Sequence, residues 1–71
     1  MSKVVVLGAG QWGTTMAQVL CDAGNHVLMW GRSQELVDEV NEKHTNSKYL
    51  DDSVLPVGLK ATTSLSEAFE Y

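Results

Sequence analysis

Apolar positions fall into two kinds of run along this chain. Val4-Val5-Val6-Leu7 and Val27-Leu28-Met29-Trp30 are short and continuous, with no alternation. Runs of this kind suit strands buried on both faces, as in a parallel sheet. Between them Trp12, Met16, Val19, Leu20 and Ala23 recur at helical spacing and predict a helix with these residues as its apolar face. Gly24-Asn25 reads as its stop, because glycine tolerates the left-handed backbone that ends helices. Gly31-Arg32-Ser33 predicts a turn, with Ser33 as the N-cap of a second helix. Leu36, Val37, Val40 and His44 mark that helix, and Glu35, Asp38, Glu39 and Glu42 form its wet side. Glu35 and Glu39 are expected near its positive end, Lys43 and His44 near its negative end. Residues 45–57 read as a polar connection, and Gly58–Thr62 as a weaker third strand. Ser64-x-x-Glu67 fits a capping box that opens a third helix.

The order is therefore strand, helix, strand, helix, strand and the start of a helix. That is the N-terminal βαβαβ half of a Rossmann dinucleotide-binding fold, of class α/β, truncated. The second strand is expected beside the first and the third outside the second, leaving the first on an open edge. A helix that has only begun at Tyr71 suggests the N-terminal piece of a longer protein. On that expectation residues 1–71 are a partial NAD(P)-binding domain, with the substrate-binding domain outside this chain. The 71 residues are too few for two such domains, which need roughly 100 each.

Charge and composition narrow the classes further. The net charge is −4, and only one of the nine acids, Asp22, falls within residues 1–34 beside Lys3 and Arg32. An acidic total disfavours a nucleic-acid partner, while an anionic small molecule suits the N-terminal part. No apolar run approaches the roughly 18 residues of a membrane span, and glycines interrupt the only candidate leader. The single cysteine, Cys21, cannot form an internal disulfide; it reads as a small buried hydrophobe and requires no oxidising compartment, so a cytoplasmic location is expected. His26 and His44 lack metal-ligand spacing, and no triad, carboxylate pair or catalytic base is apparent.

Gly8-x-Gly10-x-x-Gly13 carries the chemistry, because it lies between an apolar strand and an amphipathic helix. Gly8 permits the turn off the strand, Gly10 lets backbone approach a pyrophosphate, and Gly13 lets the helix pack closely. The N–H groups of Gln11 and Trp12 would then face phosphate from a positive helix end. The ring of Trp12 is not needed for that; it either packs on other parts of the protein or lines the cofactor cleft. A NAD site usually has an acid at the end of the second strand. Here Arg32 and Ser33 stand there instead, a guanidinium fork and a hydroxyl suited to a 2′-phosphate. NADP is thus the expected cofactor, with NAD possible.

Several segments together resemble the start of the bacterial NAD(P)-dependent glycerol-3-phosphate dehydrogenases. They are Leu7-Gly8-Ala9-Gly10-x-Trp12-Gly13-Thr14, Trp30-Gly31-Arg32, Glu35-Leu36 through Asn41, Tyr49-Leu50, Leu55-Pro56 and Ala61-Thr62-Thr63. The resemblance implies that Gln11, Trp12, Arg32, Ser33 and Tyr49 contact the dinucleotide. It implies reversible reduction of dihydroxyacetone phosphate to sn-glycerol 3-phosphate for phospholipid synthesis, in a homo-oligomer. The catalytic lysine and the substrate-binding residues would lie outside this chain, which supplies no catalytic residue. Three positions depart from the family pattern: Gln11 for Ser, Asp51 for Pro and Ser64 for Asp. Other reductases of the 6-phosphogluconate, ketopantoate or pyrroline-carboxylate type share such a beginning. A non-catalytic nucleotide-binding module, or a piece that binds nothing by itself, is the reading from a different class.

Overall fold

The structure is a computed structural model and describes residues 2–50 and 54–71. The elements are β1 (Lys3–Leu7), α1 (Gln11–Asp22), β2 (His26–Trp30), α2 (Gln34–Lys43), α3 (Ser47–Leu50), β3 (Lys60–Thr62) and α4 (Leu65–Glu70). The strands are parallel in the order β1-β2-β3, with Val4 opposite Val27, Val6 opposite Met29, and Met29 opposite Ala61. These five residues share one face of the sheet, since side chains alternate along a strand. On that face they meet Ala17 and Leu20 of α1 and Leu36, Val37 and Val40 of α2, forming the main core. Val5 and Leu28 are paired on the other face. α4 packs against β2 and β3, with Ala68 buried.

β2 is buried on both faces as expected, with Val27, Leu28 and Met29 all inaccessible. β1 is not: Val4, Val5 and Val6 are only half-buried and Leu7 is exposed. The reason is topological, because β1 has a neighbour on one side only. At the opposite edge, β3 is closed by a side chain. The Asn41 amide donates to the Ala61 carbonyl and accepts from the Ala61 N–H, both at 2.9 Å. It thereby takes the place of a neighbouring strand's peptide group.

The buried face of α1 differs from the apolar stripe in the sequence. Trp12 is 88% exposed, Met16 54% and Val19 58%, whereas Thr14 and Ala17 are completely buried. Leu20 and Cys21 are half-buried and Ala23 is exposed. Proximity explains the choice. A Cβ on Gly13 would lie only 2.2 Å from the Gly8 carbonyl oxygen. The helix runs so close to the turn that only small side chains fit the contact. The stop is as expected: Ala23 caps the helix and Gly24 takes φ +95°.

The connection after α2 is more structured and less polar than expected. It contains α3, an antiparallel bridge of Thr45 with Val54, and the buried core residue Leu55; Leu59, expected in the third strand, is also buried but precedes β3, which begins only at Lys60. Asp51, where the sequence departs from its family pattern, lies outside the described residues. His44 is the C-cap of α2, in left-handed backbone at φ 57°, a geometry that stops the helix. Glu39 lies mid-helix rather than at the positive end. Its carboxylate accepts from Thr45 Oγ1 at 2.6 Å, the Ser47 N–H at 2.8 Å and Ser47 Oγ at 3.2 Å. Ser33 and Ser64 are N-caps as expected, accepting from the N–H groups of Leu36 and Glu67. The reciprocal arm of the capping box is absent, because the Ser64 N–H donates to Thr62 Oγ1 instead.

Candidate functional site

The carboxyl ends of β1 and β2 open into one cleft of about 720 Å³, within the usual range of a small-molecule site. The turn after β1 forms one wall. Gly8 has φ +124°, accessible to glycine and strained for other residues. Its N–H donates to the Trp30 carbonyl at 2.9 Å, which binds the turn to the end of β2. Gly10 is the N-cap of α1, with no side-chain cap and no acid in the first turn. The first intrahelical bond runs from the Thr14 N–H to the Gly10 carbonyl at 2.9 Å. The N–H groups of Gln11, Trp12 and Gly13 therefore have no acceptor within the helix, and the positive end of α1 is uncompensated. A Cβ on Gly10 would meet nothing within 4 Å. The space before it is open, as close approach of a pyrophosphate requires.

The turn after β2 forms the second wall. Gly31 donates to the Thr62 carbonyl at 3.0 Å, and its missing Cβ would sit 2.9 Å from the Cβ of Ala9. The two turns are thus packed against each other with no room for a further methyl. Trp30 is pinned by its indole N–H, which donates to the Thr63 carbonyl at 3.0 Å. Arg32 and Ser33 follow, both exposed and both lining the cleft. Ser33 Oγ accepts from the Leu36 N–H at 3.2 Å, so its own proton is free to donate outward. The nearest acid on this wall, Glu35, stands in the first turn of α2.

α3 closes the third side with Lys48 and Tyr49, the ammonium 5.3 Å from the ring centre. Glu39 holds this side in place from α2. The hydroxyl of Thr45, followed by the Ser47 N–H, keeps its carboxyl below the ordinary carboxylate range, against a smaller opposing effect of burial. The residues singled out from the sequence separate accordingly. Gly8, Gly10, Arg32, Ser33 and Tyr49 converge on the cleft. Gly13 lies behind the turn as its packing contact. Gln11 and Trp12 do not line the cleft: they follow Gly10 at the start of α1 with their backbone N–H groups unaccepted within the helix, and the Trp12 ring enters neither the cleft nor the core. Lys48, Gly31, Thr14 and Asn46 were missed. Gly31 had a signal, a glycine directly after a strand; Thr14 and Asn46 had none, since their partners are distant in sequence. Among the described residues no group of three or more His, Cys, Asp or Glu side chains could hold a metal. Among them, also, no helix is long and apolar enough to cross a membrane.

Known proteins fit this geometry. Residues 3–71 match the family model described as NAD-dependent glycerol-3-phosphate dehydrogenase N-terminus. Glycerol-3-phosphate dehydrogenase [NAD(P)+] of Streptococcus uberis is 53% identical over 68 residues, covering 96% of this chain and 20% of that protein. The protein of the same name from Exiguobacterium is 54% identical over 70 residues, covering 99% of this chain and 20% of its own length. The crystal structure of the Coxiella burnetii glycerol-3-phosphate dehydrogenase superposes with a TM-score of 0.86 at 37% identity, over 96% of this chain and 21% of that one. The yeast glycerol-3-phosphate dehydrogenase gives 0.84 at 34%, over 93% and 22%. This chain thus spans about a fifth of the length of the relatives it matches. These matches favour the glycerol-3-phosphate dehydrogenase reading over the related reductases and over a non-catalytic module.

Proposed function

This chain belongs to the NAD-dependent glycerol-3-phosphate dehydrogenase N-terminal family, and from that premise we propose that it forms the dinucleotide-binding part of an enzyme that interconverts dihydroxyacetone phosphate and sn-glycerol 3-phosphate. The observation that carries the reading is one cleft lined by the glycine turn that leads into the uncapped start of α1 and by Arg32 with Ser33. The pyrophosphate would lie over Gly10, against the N–H groups of Gln11 and Trp12. Arg32 and Ser33 would hold a 2′-phosphate, which favours NADP over NAD, and Tyr49 would border the adenosine. When bound, the nicotinamide supplies a hydride to the carbonyl carbon or takes it back. The residues of this chain bind and orient the dinucleotide; none is assigned a proton to move. The same reading places the enzyme in the cytoplasm, as a homo-oligomer feeding glycerophospholipid synthesis. It is supported by a lone cysteine that needs no oxidation and by the exposed apolar stripe of α1.

The test is a titration of the intact protein with NADP and NAD, followed by assay of dihydroxyacetone phosphate reduction. The expected result is saturable binding, tighter for NADP, and reduction dependent on dihydroxyacetone phosphate. Absence of dinucleotide binding would overturn the reading.

A further inference from the structure

Behind the glycine turn lies a buried polar cluster whose partners span most of the chain. Asn46, immediately before α3, is completely buried. Its Nδ2 donates to the Ala9 carbonyl at 3.1 Å and to Thr14 Oγ1 at 2.8 Å. Thr14 is equally buried, and its hydroxyl donates to the same Ala9 carbonyl at 3.1 Å. The amide can face only one way, because a carbonyl accepts and never donates. Its NH₂ group must point at Ala9, and Oδ1 is left buried with no donor among the described residues. A buried acceptor without a partner is unfavourable and calls for an explanation. Packing alone does not provide one, since an apolar side chain of similar size would fill the space without the orphaned oxygen.

The carbonyl of Ala9 provides it. This group belongs to the peptide that joins Ala9 to Gly10, in the middle of the turn. In a planar trans peptide the carbonyl and the next N–H point in opposite directions. Two donors hold the carbonyl inward, so the N–H of Gly10 is turned outward, on the side of the cleft that Gly10 lines. Gly10 leaves the φ on its side of this peptide unrestricted, so the orientation of the peptide depends on what its carbonyl is bonded to. We propose that Asn46, acting with Thr14, is a positioning residue that locks the Ala9–Gly10 peptide with its N–H presented to the pyrophosphate of the dinucleotide. The lock is braced from behind: Glu39 holds both neighbours of Asn46, Thr45 and Ser47. The inference rests on the dinucleotide reading above.

Two small probes separate the lock from general support of the fold. ADP carries the pyrophosphate, whereas adenosine 2′-monophosphate carries only the phosphate assigned to Arg32 and Ser33. In the intact protein, Asn46→Leu combined with Thr14→Val replaces the polar pair by apolar groups of similar shape. The melting temperature should fall only modestly, because Asn46 and Thr14 are removed together and the released Ala9 carbonyl alone loses its donors. Affinity for ADP should fall about tenfold, while that for adenosine 2′-monophosphate should stay within about twofold. Thr14→Ser, which keeps the hydroxyl, should retain ADP binding. If the apolar pair does not fold, Thr14→Val serves instead, keeping the shape while removing one of the two donors to the Ala9 carbonyl; ADP should again weaken selectively. Unchanged ADP affinity, or parallel weakening of both probes, overturns the lock. Failure of the unaltered protein to bind ADP overturns the dinucleotide reading itself, and the lock with it.

Discussion

Two strand-to-helix turns face the same cleft and are built in opposite ways. The turn from β1 to α1 presents backbone alone: its N-cap is Gly10, no side chain caps the helix, and no acid stands in the first turn. The turn from β2 to α2 presents side chains: Arg32, the capping hydroxyl of Ser33, and Glu35 in the first turn. Backbone N–H groups can recognise only what every dinucleotide shares, its pyrophosphate. Side chains can tell one ribose from another. On the proposed dinucleotide reading, affinity and selectivity would fall to different turns, joined where Gly31 meets Ala9.

The strongest way to break this arrangement is at its closest contact. Gly13→Ala would place a Cβ 2.2 Å from the Gly8 oxygen and 3.0 Å from the Gly8 carbonyl carbon. Both are backbone atoms and cannot swing aside, so α1 must move away from the turn. A loss of about 3 kcal/mol is expected, together with loss of both NAD and NADP binding. Thermal denaturation of the intact variant measures it; a melting temperature equal to the parent's would show that the helix has slack. Gly10→Ala sharpens the contrast, because its Cβ would meet no protein atom. Stability should fall by no more than about 1 kcal/mol, while affinity for both dinucleotides drops by about a hundredfold or more, equivalent to some 3 kcal/mol. Equal cofactor affinity in parent and variant would mean that no phosphate lies there.

The selective turn should respond to a different change. Removing the guanidinium with Arg32→Ala should weaken NADP by about ten- to a hundredfold, the worth of a hydrogen bond to a charged group, and NAD far less. Calorimetric titration with both cofactors decides it, and equal losses would remove Arg32 from 2′-phosphate recognition. The smallest expected effect is on pH dependence. Glu39 steadies the wall beside the second turn, and its hydrogen bonds from Thr45 and Ser47 lower its pKa in the folded state. A carboxyl depressed by folding contributes stability above its unfolded pKa and loses it as pH falls through the folded value. Stability should therefore decline on the acid side of the usual carboxylate range, and Glu39→Gln should flatten that decline. An acid limb of equal slope in the variant would assign the effect to another group.

Much of this was legible in the chain because it is local. A glycine pattern following an apolar run announces the tight strand-to-helix turn, since the steric demands of that turn act within six residues. Ser33 and Ser64 announce helix starts, because a cap reaches only to the N–H three residues on. β2 reads correctly as a central strand, being covered on both faces. The α1 stripe misleads for a physical reason. Periodicity shows which side of a helix is apolar, but close approach to a turn selects small residues, and Gly13, Thr14 and Ala17 contribute little to a hydrophobic pattern.

The sequence by itself determined the alternation of the three strands with α1, α2 and α4, the N-caps Ser33 and Ser64 and the glycine turn, because each depends on backbone sterics and hydrogen bonds between near neighbours. Only the tertiary structure decided which face of α1 is buried, that Leu55 and Leu59 complete the core, and that Asn41 seals the edge of β3. It alone brought Asn46 to Ala9, 37 residues away, and joined two turns into one cleft. Such contacts form where packed elements happen to meet. A buried amide finds its partner through the geometry of the whole sheet, and nothing in its neighbours along the chain records that meeting.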